Sequence, residues 1–461
     1  MPVCVSLGQL VGIVAATPLN LLDVVLAEQV TQVTTDSRNL KPNELFLALQ
    51  GEQFDGHEFV EAALARGAIA AIVSHVPPRA ETLPLLLVAN TLEAYQAIAH
   101  WWREQFSIPV IGVTGSVGKT TTKELIAAVL ATQGAVLKTQ ANYNNEIGVP
   151  KTLLELEPSH RYAVVEMGMR ASGEIALLTQ IARPDIAVIT NVGTAHIGRL
   201  GSEQAIASAK CELLQNLPSG GIAILNHDNP LLLATAAAVW HGKTLTYGLE
   251  GGDVHGQLVD PETLEVDGMR LPLPLPGRHN ALNYLAALAV AQVLQIDWQL
   301  LTQGLSVELP QGRSRRYDLP NDIVILDETY NAGLESMVAA LHLLAQTPGT
   351  RHIAVIGTMK ELGERSPDLH HQVGVTVRQL NLDYLLTLAD SDAADALAAG
   401  AAAIPTEQFA DPQAFVERLQ ALVRPGDRLL FKASRAVRLD QVLEQFMAIA
   451  PGTIRATERH Q

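Results

Sequence analysis

Apolar positions along the chain recur with two periods, and the places where one gives way to the other mark its elements. Near the start, short strand-like runs alternate with turns. Residues 44–50 (ELFLALQ) read as a strand, and residues 59–66, closed by Gly67, read as a short helix. Pro77, Pro78 and Pro84 then punctuate the chain, which places a first boundary after residue 88. Beyond Pro109 the rhythm becomes apolar strand, polar loop, periodic helix. Residues 110–113 predict a strand, and residues 119–132 a helix with Leu125, Ile126, Val129 and Leu130 on one face. Further strands are expected at 162–165, 186–190 and 222–225, with helical segments between them, one of them at 205–214. That alternation predicts a parallel sheet with helices on both faces. A long helix over 280–294 follows Pro276 and Gly277. A second α/β run begins after Gly312, with strands at 323–326, 353–356, 384–388 and 428–431, and the alanine-rich 393–403 reads as helix and loop. The expectation is an α/β protein of three domains, 1–88, 89–312 and 313–461: a small α/β unit, a central parallel sheet, and a Rossmann-like C-terminal unit.

Composition narrows the classes. Of the 461 residues 48% are hydrophobic and 17% charged, which supplies real cores and excludes a disordered chain. The net charge of −16 is a poor match to a nucleic-acid backbone, and 4% aromatics disfavours a stacking platform for single strands. A phosphorylated partner is therefore expected to be a small molecule held by a local site. Cys4 and Cys211 are too few for a disulfide framework and read as reduced thiols. The early apolar stretch lacks a basic region and is broken by Gly8, Gln9, Gly12, Pro18 and Asn20. It reads as neither a signal peptide nor a spanning helix, so a cytoplasmic protein without membrane insertion is expected.

The strongest chemical signal is Thr114-Gly115-Ser116-Val117-Gly118-Lys119-Thr120-Thr121, between a strand and a helix. Glycines let backbone N–H groups approach phosphate oxygens, and the helix N-terminus favours their charge. Lys119 would neutralise phosphates, and the Thr120 hydroxyl suits Mg²⁺. The spacing departs from the strict phosphate-loop pattern, since Val113 stands at its first glycine. Glu166 follows the strand at 162–165 directly, where it reads as a metal ligand or as a helix-start acid. His196, in the loop after the strand at 186–190, reads equally as a metal or phosphate contact or as a hydrogen-bonded loop histidine. On spacing alone, Lys210 is an exposed helical lysine and the pair His370-His371 is surface. Asn280 and Asn283 share one helix face and suit a base, a ribose or a plain cap. Asp327 ends a strand, where an acid often holds a ribose.

Together these stretches resemble the Mur ligase family, ATP-dependent amide-forming enzymes of peptidoglycan precursor synthesis. The resemblance covers essentially the whole chain. It is carried in the first domain by Thr35-Asp36-Ser37-Arg38, Phe46 and Gly51-Glu52-Gln53-Phe54-Asp55-Gly56-His57. It continues in Asn142-Tyr143-Asn144-Asn145-Glu146-Ile147-Gly148-Val149-Pro150, Gly277-Arg278-His279-Asn280, Asp327-Glu328-Thr329-Tyr330-Asn331-Ala332 and Gly357-Thr358-Met359-Lys360-Glu361-Leu362-Gly363. The D-N-P-R motif of the diaminopimelate-adding relative is absent. Met169-Arg170-Ala171-Ser172, Gly198, Gly333, Leu334 and Ala433 depart from the usual pattern.

The resemblance implies ATP and Mg²⁺, with UDP-N-acetylmuramoyl-tripeptide and D-alanyl-D-alanine as substrates, and a monomer. It implies that Gly115, Ser116, Val117, Gly118, Lys119, Thr120 and Thr121 hold the phosphates, with Glu166 and His196 as metal ligands beside Thr120. Lys210 would be the lysine that can be carbamylated into an anionic Mg²⁺ ligand. Asn280 and Asn283 would contact the nucleotide, Arg313 its phosphates and Asp327 its ribose, with Tyr330 and Asn331 near the base. Asp36, Ser37, Arg38, Asp55, His57, Asn144 and Asn145 would bind the UDP-sugar. The rival expectations are a sister ligase adding another amino acid, a folylpolyglutamate synthase-like enzyme, and a nucleotide-hydrolysing regulatory protein.

Overall fold

A computed structural model describes residues 5–51, 54–78 and 80–449. Cys4, Glu52 and Gln53, singled out above, lie outside the described residues.

Three sheets carry the fold. In the first, the strands Gln32–Thr34, Glu44–Leu47, Ala70–Val73 and Leu85–Leu87 run parallel, and Thr17–Leu19 adds an antiparallel edge. The expected strand at 44–50 stops at Leu47. The expected helix at 59–66 opens as a 3-10 turn, Gly56–Phe59, before Val60–Ala65. The helix Thr91–Glu104, capped by the Asn90 side chain, lays Trp102 and Arg103 onto the central unit. There the Trp102 indole donates to the Leu156 carbonyl at 3.2 Å.

The central sheet has nine strands. Seven pair in parallel in the order Val254–Asp260, Lys243–Gly248, Ile222–Asn226, Ile186–Ile189, Val110–Thr114, His160–Glu166, Ala135–Lys138. Val110–Thr114 is buried along its length, and its β-branched residues suit a strand covered on both faces. The chain leaves this strand toward one side of the sheet and later returns to the other. Its C-terminal end is therefore a topological switch point, where open α/β sheets bind ligands. Register sets Glu166 opposite Val113 and Ile189 opposite Thr114, so the phosphate loop, Glu166 and the loop after residue 189 share one edge. Beyond the expected parallel sheet, Thr263–Val266 and Met269–Pro272 continue from the parallel edge strand Val254–Asp260 as an antiparallel meander. The helix Arg278–Val293 buries most of its alanines and leucines against Lys119–Ala131, and so holds the phosphate-loop helix from behind.

The third sheet runs Arg315–Leu319, Ile323–Glu328, Asp427–Lys432, Arg351–Gly357, Tyr384–Leu388, Thr406–Phe409, parallel except for its first strand. Its strand ends bring Asp327 and Lys432 to one edge. The surface reading of His370 is overturned. His370 is fully buried in the helix Ser366–Gln379, where its Nε2 accepts the Met359 N–H at 2.9 Å and its Nδ1 lies 2.7 Å from the Ser366 carbonyl. Burial pushes its pKa down, which keeps the ring neutral and able to accept that N–H. His371, its neighbour, is exposed.

Candidate active site

The phosphate loop is tied to the neighbouring strand's loop residue by residue. Gly115 has φ +154°, and a Cβ there would lie 1.9 Å from Thr190 Oγ1. The Ser116 and Val117 amides donate to the Asn191 carbonyl and side-chain oxygen at 3.1 and 3.0 Å. Thr190 Oγ1 and Asn191 Nδ2 donate to the Val117 carbonyl at 2.6 and 3.2 Å. Gly118, at φ +79°, turns the chain into the helix beside Asn283 Oδ1, which also accepts from Thr122 Oγ1 at 3.1 Å. Asn283 donates in turn to Asn280 Oδ1 at 3.3 Å, and Asn280 donates to the Pro276 carbonyl at 2.8 Å. Among the described residues no side chain caps Lys119–Ala131, so its first-turn N–H groups and positive end are left for an anion.

Lys119 curls back to donate to the Gly115 carbonyl at 2.8 Å. Burial lowers its pKa, with Glu166 opposing the shift and Arg313 adding to it. Thr120 and Thr121 are buried beside it. Glu166 is 2% exposed. Its Oε1 accepts from Asn144 Nδ2 at 2.8 Å, while Oε2 has no hydrogen-bond donor among the described residues and lies 3.9 Å from Lys123 Nζ. Lys123 is fully buried, donates to the Thr139 carbonyl at 2.6 Å and pairs with Glu124 at 2.9 Å. Asn145 Oδ1 accepts the Gly148 amide at 2.9 Å and so holds the start of the helix Gly148–Leu153.

Two more groups approach the same edge. Lys210, read on spacing as solvated, is 1% exposed on the helix Glu203–Gln215, and no described residue bonds its ammonium. Burial first, and the nearby Lys119 second, hold its pKa well below the ordinary lysine value. His196 stands at the N-terminus of the short helix Ile197–Leu200, and its pKa is lowered by burial and by Lys119 and Lys210 against the opposing Glu361.

From the third-sheet unit, Arg313 stacks its guanidinium 3.9 Å over the Tyr330 ring, and its buried Nε has no partner among the described residues. Asp327 Oδ1 accepts from the Thr329 amide and hydroxyl at 3.0 and 2.6 Å, and burial raises its pKa. The Asn331 carbonyl accepts from Lys432 Nζ at 3.1 Å. In the first sheet's unit, Arg38 grips Asp36 through two side-chain bonds of 2.9 and 3.0 Å, which bring the carboxyl pKa down to about 2. Ser37 between them is half-buried. His57 Nδ1 meets Asp55 at 2.6 Å, and its Nε2 accepts the Ser74 N–H at 2.9 Å. Both ring nitrogens are taken, so Asp55, His57 and the stacked His75 do not form an open metal site.

Comparison with known proteins follows the same three units. Residues 29–101 match the Mur ligase family catalytic domain, 113–291 the Mur ligase middle domain, and 312–435 the Mur ligase glutamate ligase domain. The UDP-N-acetylmuramoyl-tripeptide–D-alanyl-D-alanine ligase of Synechocystis sp. is 59% identical over 427 residues, 92% of this chain and 94% of that one. The chain belongs to the Mur ligase family. Among solved Mur ligases, MurF from Acinetobacter baumannii superposes with a TM-score of 0.88 at 31% identity, over 97% of this chain and all of that one. MurF from Thermotoga maritima in complex with ADP gives 0.81 at 32% identity, over 92% and 98% of the two chains.

In this Mur ligase Glu166, His196, Lys210 and Arg313 all lie within electrostatic reach of Lys119 in the phosphate loop. The sequence reading passed over Asn191, Lys123, Glu335 and Glu361. Lys123 stood four residues after Lys119 on the same helix, and Glu361 stood inside a quoted motif without a role. Glu335 carried no signal, because its partner Thr194 is far away in sequence.

Proposed function

We propose that this chain joins D-alanyl-D-alanine to UDP-N-acetylmuramoyl-tripeptide, with ATP as the activating phosphate donor. The observation that carries the ligase reading is the uncapped phosphate-loop helix at the sheet's switch point, faced by Glu166, Lys210 and Arg313 from three further segments. The identity to the Synechocystis ligase supports the choice of substrates, and the ADP complex of the Thermotoga relative supports the nucleotide. The units 1–88, 89–312 and 313–461 would serve the UDP-sugar, ATP and the incoming dipeptide, in a monomeric cytoplasmic enzyme.

A hard cation fits the residues present. Glu166 offers a buried carboxylate oxygen that no described residue donates to, and Thr120 offers a hydroxyl. Thr120, Glu166 and His196 would hold Mg²⁺, joined by Lys210 once its uncharged amine has added CO₂ to give a carbamate and a proton. When bound, Mg²⁺ neutralises phosphate charge. The carboxylate of the tripeptide substrate attacks the γ-phosphorus of ATP, giving an acyl phosphate and ADP. The dipeptide amine then attacks the acyl carbon, the bond to phosphate oxygen breaks, phosphate leaves, and the amine loses its proton. The phosphate-loop amides, Lys119 and Arg313 position the phosphates and counter their charge, the main protein contribution to phosphoryl transfer. Asn280, Asn283, Asp327, Tyr330 and Asn331 would place the nucleotide. Asp36, Ser37, Arg38, Asp55, His57, Asn144 and Asn145 would place the UDP-sugar, Asn144 while also donating to Glu166.

Mass spectrometry of reactions holding all three substrates tests this. The pentapeptide adduct, ADP and phosphate should form together, and phosphate release should stop when the dipeptide is omitted. Undiminished ATP hydrolysis without dipeptide, and no adduct with it, would make the protein a nucleotide-driven switch instead.

A further inference from the structure

His196 gets its orientation from another unit of the chain. Its Nδ1 lies 2.5 Å from Oε2 of Glu361, which sits in the loop after the third-sheet strand Arg351–Gly357. The same glutamate accepts the Gly198 N–H through its carbonyl at 3.1 Å and the Arg199 guanidinium through Oε1 at 3.3 Å. His196 and Glu361 both have φ of 65°, the left-handed region that costs a side-chain-bearing residue roughly 1 kcal/mol or more. Two such residues facing each other across a contact between units mark a geometry that the surroundings impose. The turn fits tightly because Gly198 has no side chain: a Cβ there would meet the backbone nitrogen of Gly363 at 2.5 Å and the Glu361 carbonyl oxygen at 2.9 Å. The departure from the family pattern at Gly198 thus has a steric reason.

A carboxylate can only accept, so the imidazole nitrogen facing it carries the proton, and the other nitrogen of the neutral ring keeps its lone pair. No described residue bonds His196 Nε2. The geometry points to Glu361 as a positioning residue: from the third-sheet unit it fixes the His196 ring in the Nδ1–H tautomer, leaving the Nε2 lone pair free to face a cation at the phosphate end of the site only while the two units are docked. Histidines that ligate metals are commonly oriented by such a carboxylate. The inference rests on the ligase reading for what Nε2 serves, but the tautomer itself does not depend on that reading.

Two measurements on the full chain test it. With ¹⁵N-histidine labelling, bound tripeptide substrate and a non-hydrolysable ATP analogue, the His196 signals are assigned by their loss in His196→Gln. Wild type should show Nδ1 protonated and Nε2 bare, and Glu361→Ala should show a mixture of tautomers. In turnover, Glu361→Ala should lower kcat about 10–100-fold, the usual cost of losing a histidine-orienting carboxylate. Glu361→Gln, whose amide oxygen still accepts from Nδ1–H, should recover most of it. Arg199→Ala removes a docking ion pair without touching the ring and should leave the tautomer unchanged. An unchanged tautomer in Glu361→Ala overturns the proposal, as does a Gln variant as impaired as the Ala variant. If Glu361→Ala fails to fold, the spectrum and kcat of Glu361→Gln decide. If wild type makes no adduct, the ligase reading fails while the spectra still decide the role of Glu361.

Discussion

The two ends of the loop that follows Ile186–Ile189 are held in opposite ways. Its first part, Thr190 to Gly193, is bonded to the phosphate loop of its own sheet. Thr190 and Asn191 bond Val117, and the Gly193 amide donates to Ser116 Oγ at 2.9 Å. Its second part, Thr194 to Arg199, takes its partners from the third-sheet unit. The Thr194 amide donates to Glu335 at 2.6 Å, while His196, Gly198 and Arg199 all engage Glu361. Only a few residues along one loop separate a site that a single domain builds from one that two domains must assemble. The loop's own grip on phosphates is thus independent of docking, whereas the His196 geometry, like the approach of Arg313, depends on it. An enzyme that makes a water-sensitive acyl phosphate gains from that division, because the reactive arrangement is completed only when the units meet.

The largest expected effect falls on the part built within one unit. Lys119→Ala removes the cation that faces the phosphates, and turnover should drop by about a thousandfold or more. The fold should survive, because Lys119 bonds only loop carbonyls. Steady-state rates beside a thermal melt check both halves of this statement. A folded variant with the wild-type rate would remove the phosphate loop from the mechanism.

Lys123→Ala should show the other property of the same region, its dependence on buried charge. The substitution leaves Glu124 and Glu166 without their buried cation, and removing one member of a buried pair costs about 3–5 kcal/mol. Lys138 still reaches Glu124, at 2.5 Å, so the loss should fall chiefly on Glu166. Denaturant unfolding gives the stability change. A midpoint like that of wild type would show that the Lys123 network is not what holds Glu166.

The sequence made the first kind of region legible and hid the second. Strand Val110–Thr114 and helix Lys119–Ala131 were read almost to the residue, because a buried β-branched run, a glycine turn and a helical stripe are local patterns. His160–Glu166, Ile186–Ile189 and Ile222–Asn226 were legible for the same reason, whereas the parallel strands Ala135–Lys138 and Lys243–Gly248 farther out in the sheet were missed. The meander Val254–Asp260 to Met269–Pro272 was missed although its burial alternates along the first strand, since no helix separates its strands to mark them as βα units. Lys210 and His370 looked like surface because a lone polar residue on a helix says nothing about what packs over it. Only the family resemblance directed attention to Lys210, and nothing directed it to His370. Glu361 and Glu335 meet their partners across 165 and 141 residues of chain, and no local pattern encodes that pairing.

Two glycine substitutions sharpen the comparison with smaller effects. Gly115→Ala forces a Cβ into Thr190 at a backbone angle that favours glycine, inside a network with nowhere to move. Overpacking and backbone strain of this kind cost about 1–3 kcal/mol each, so the variant should unfold earlier in denaturant, with or without ligands. Gly198→Ala also meets backbone, but that backbone belongs to residues 361–363 of the other unit, which can back away. Its unfolding midpoint should therefore stay near wild type. What should change is docking: the radius of gyration with tripeptide substrate and ATP analogue bound should exceed that of wild type, and kcat should fall with it. The contrast is the test. Equal losses of stability in the two variants would mean that the Gly198 turn is as fixed as the phosphate loop, and the division drawn between the two ends of this loop would not hold.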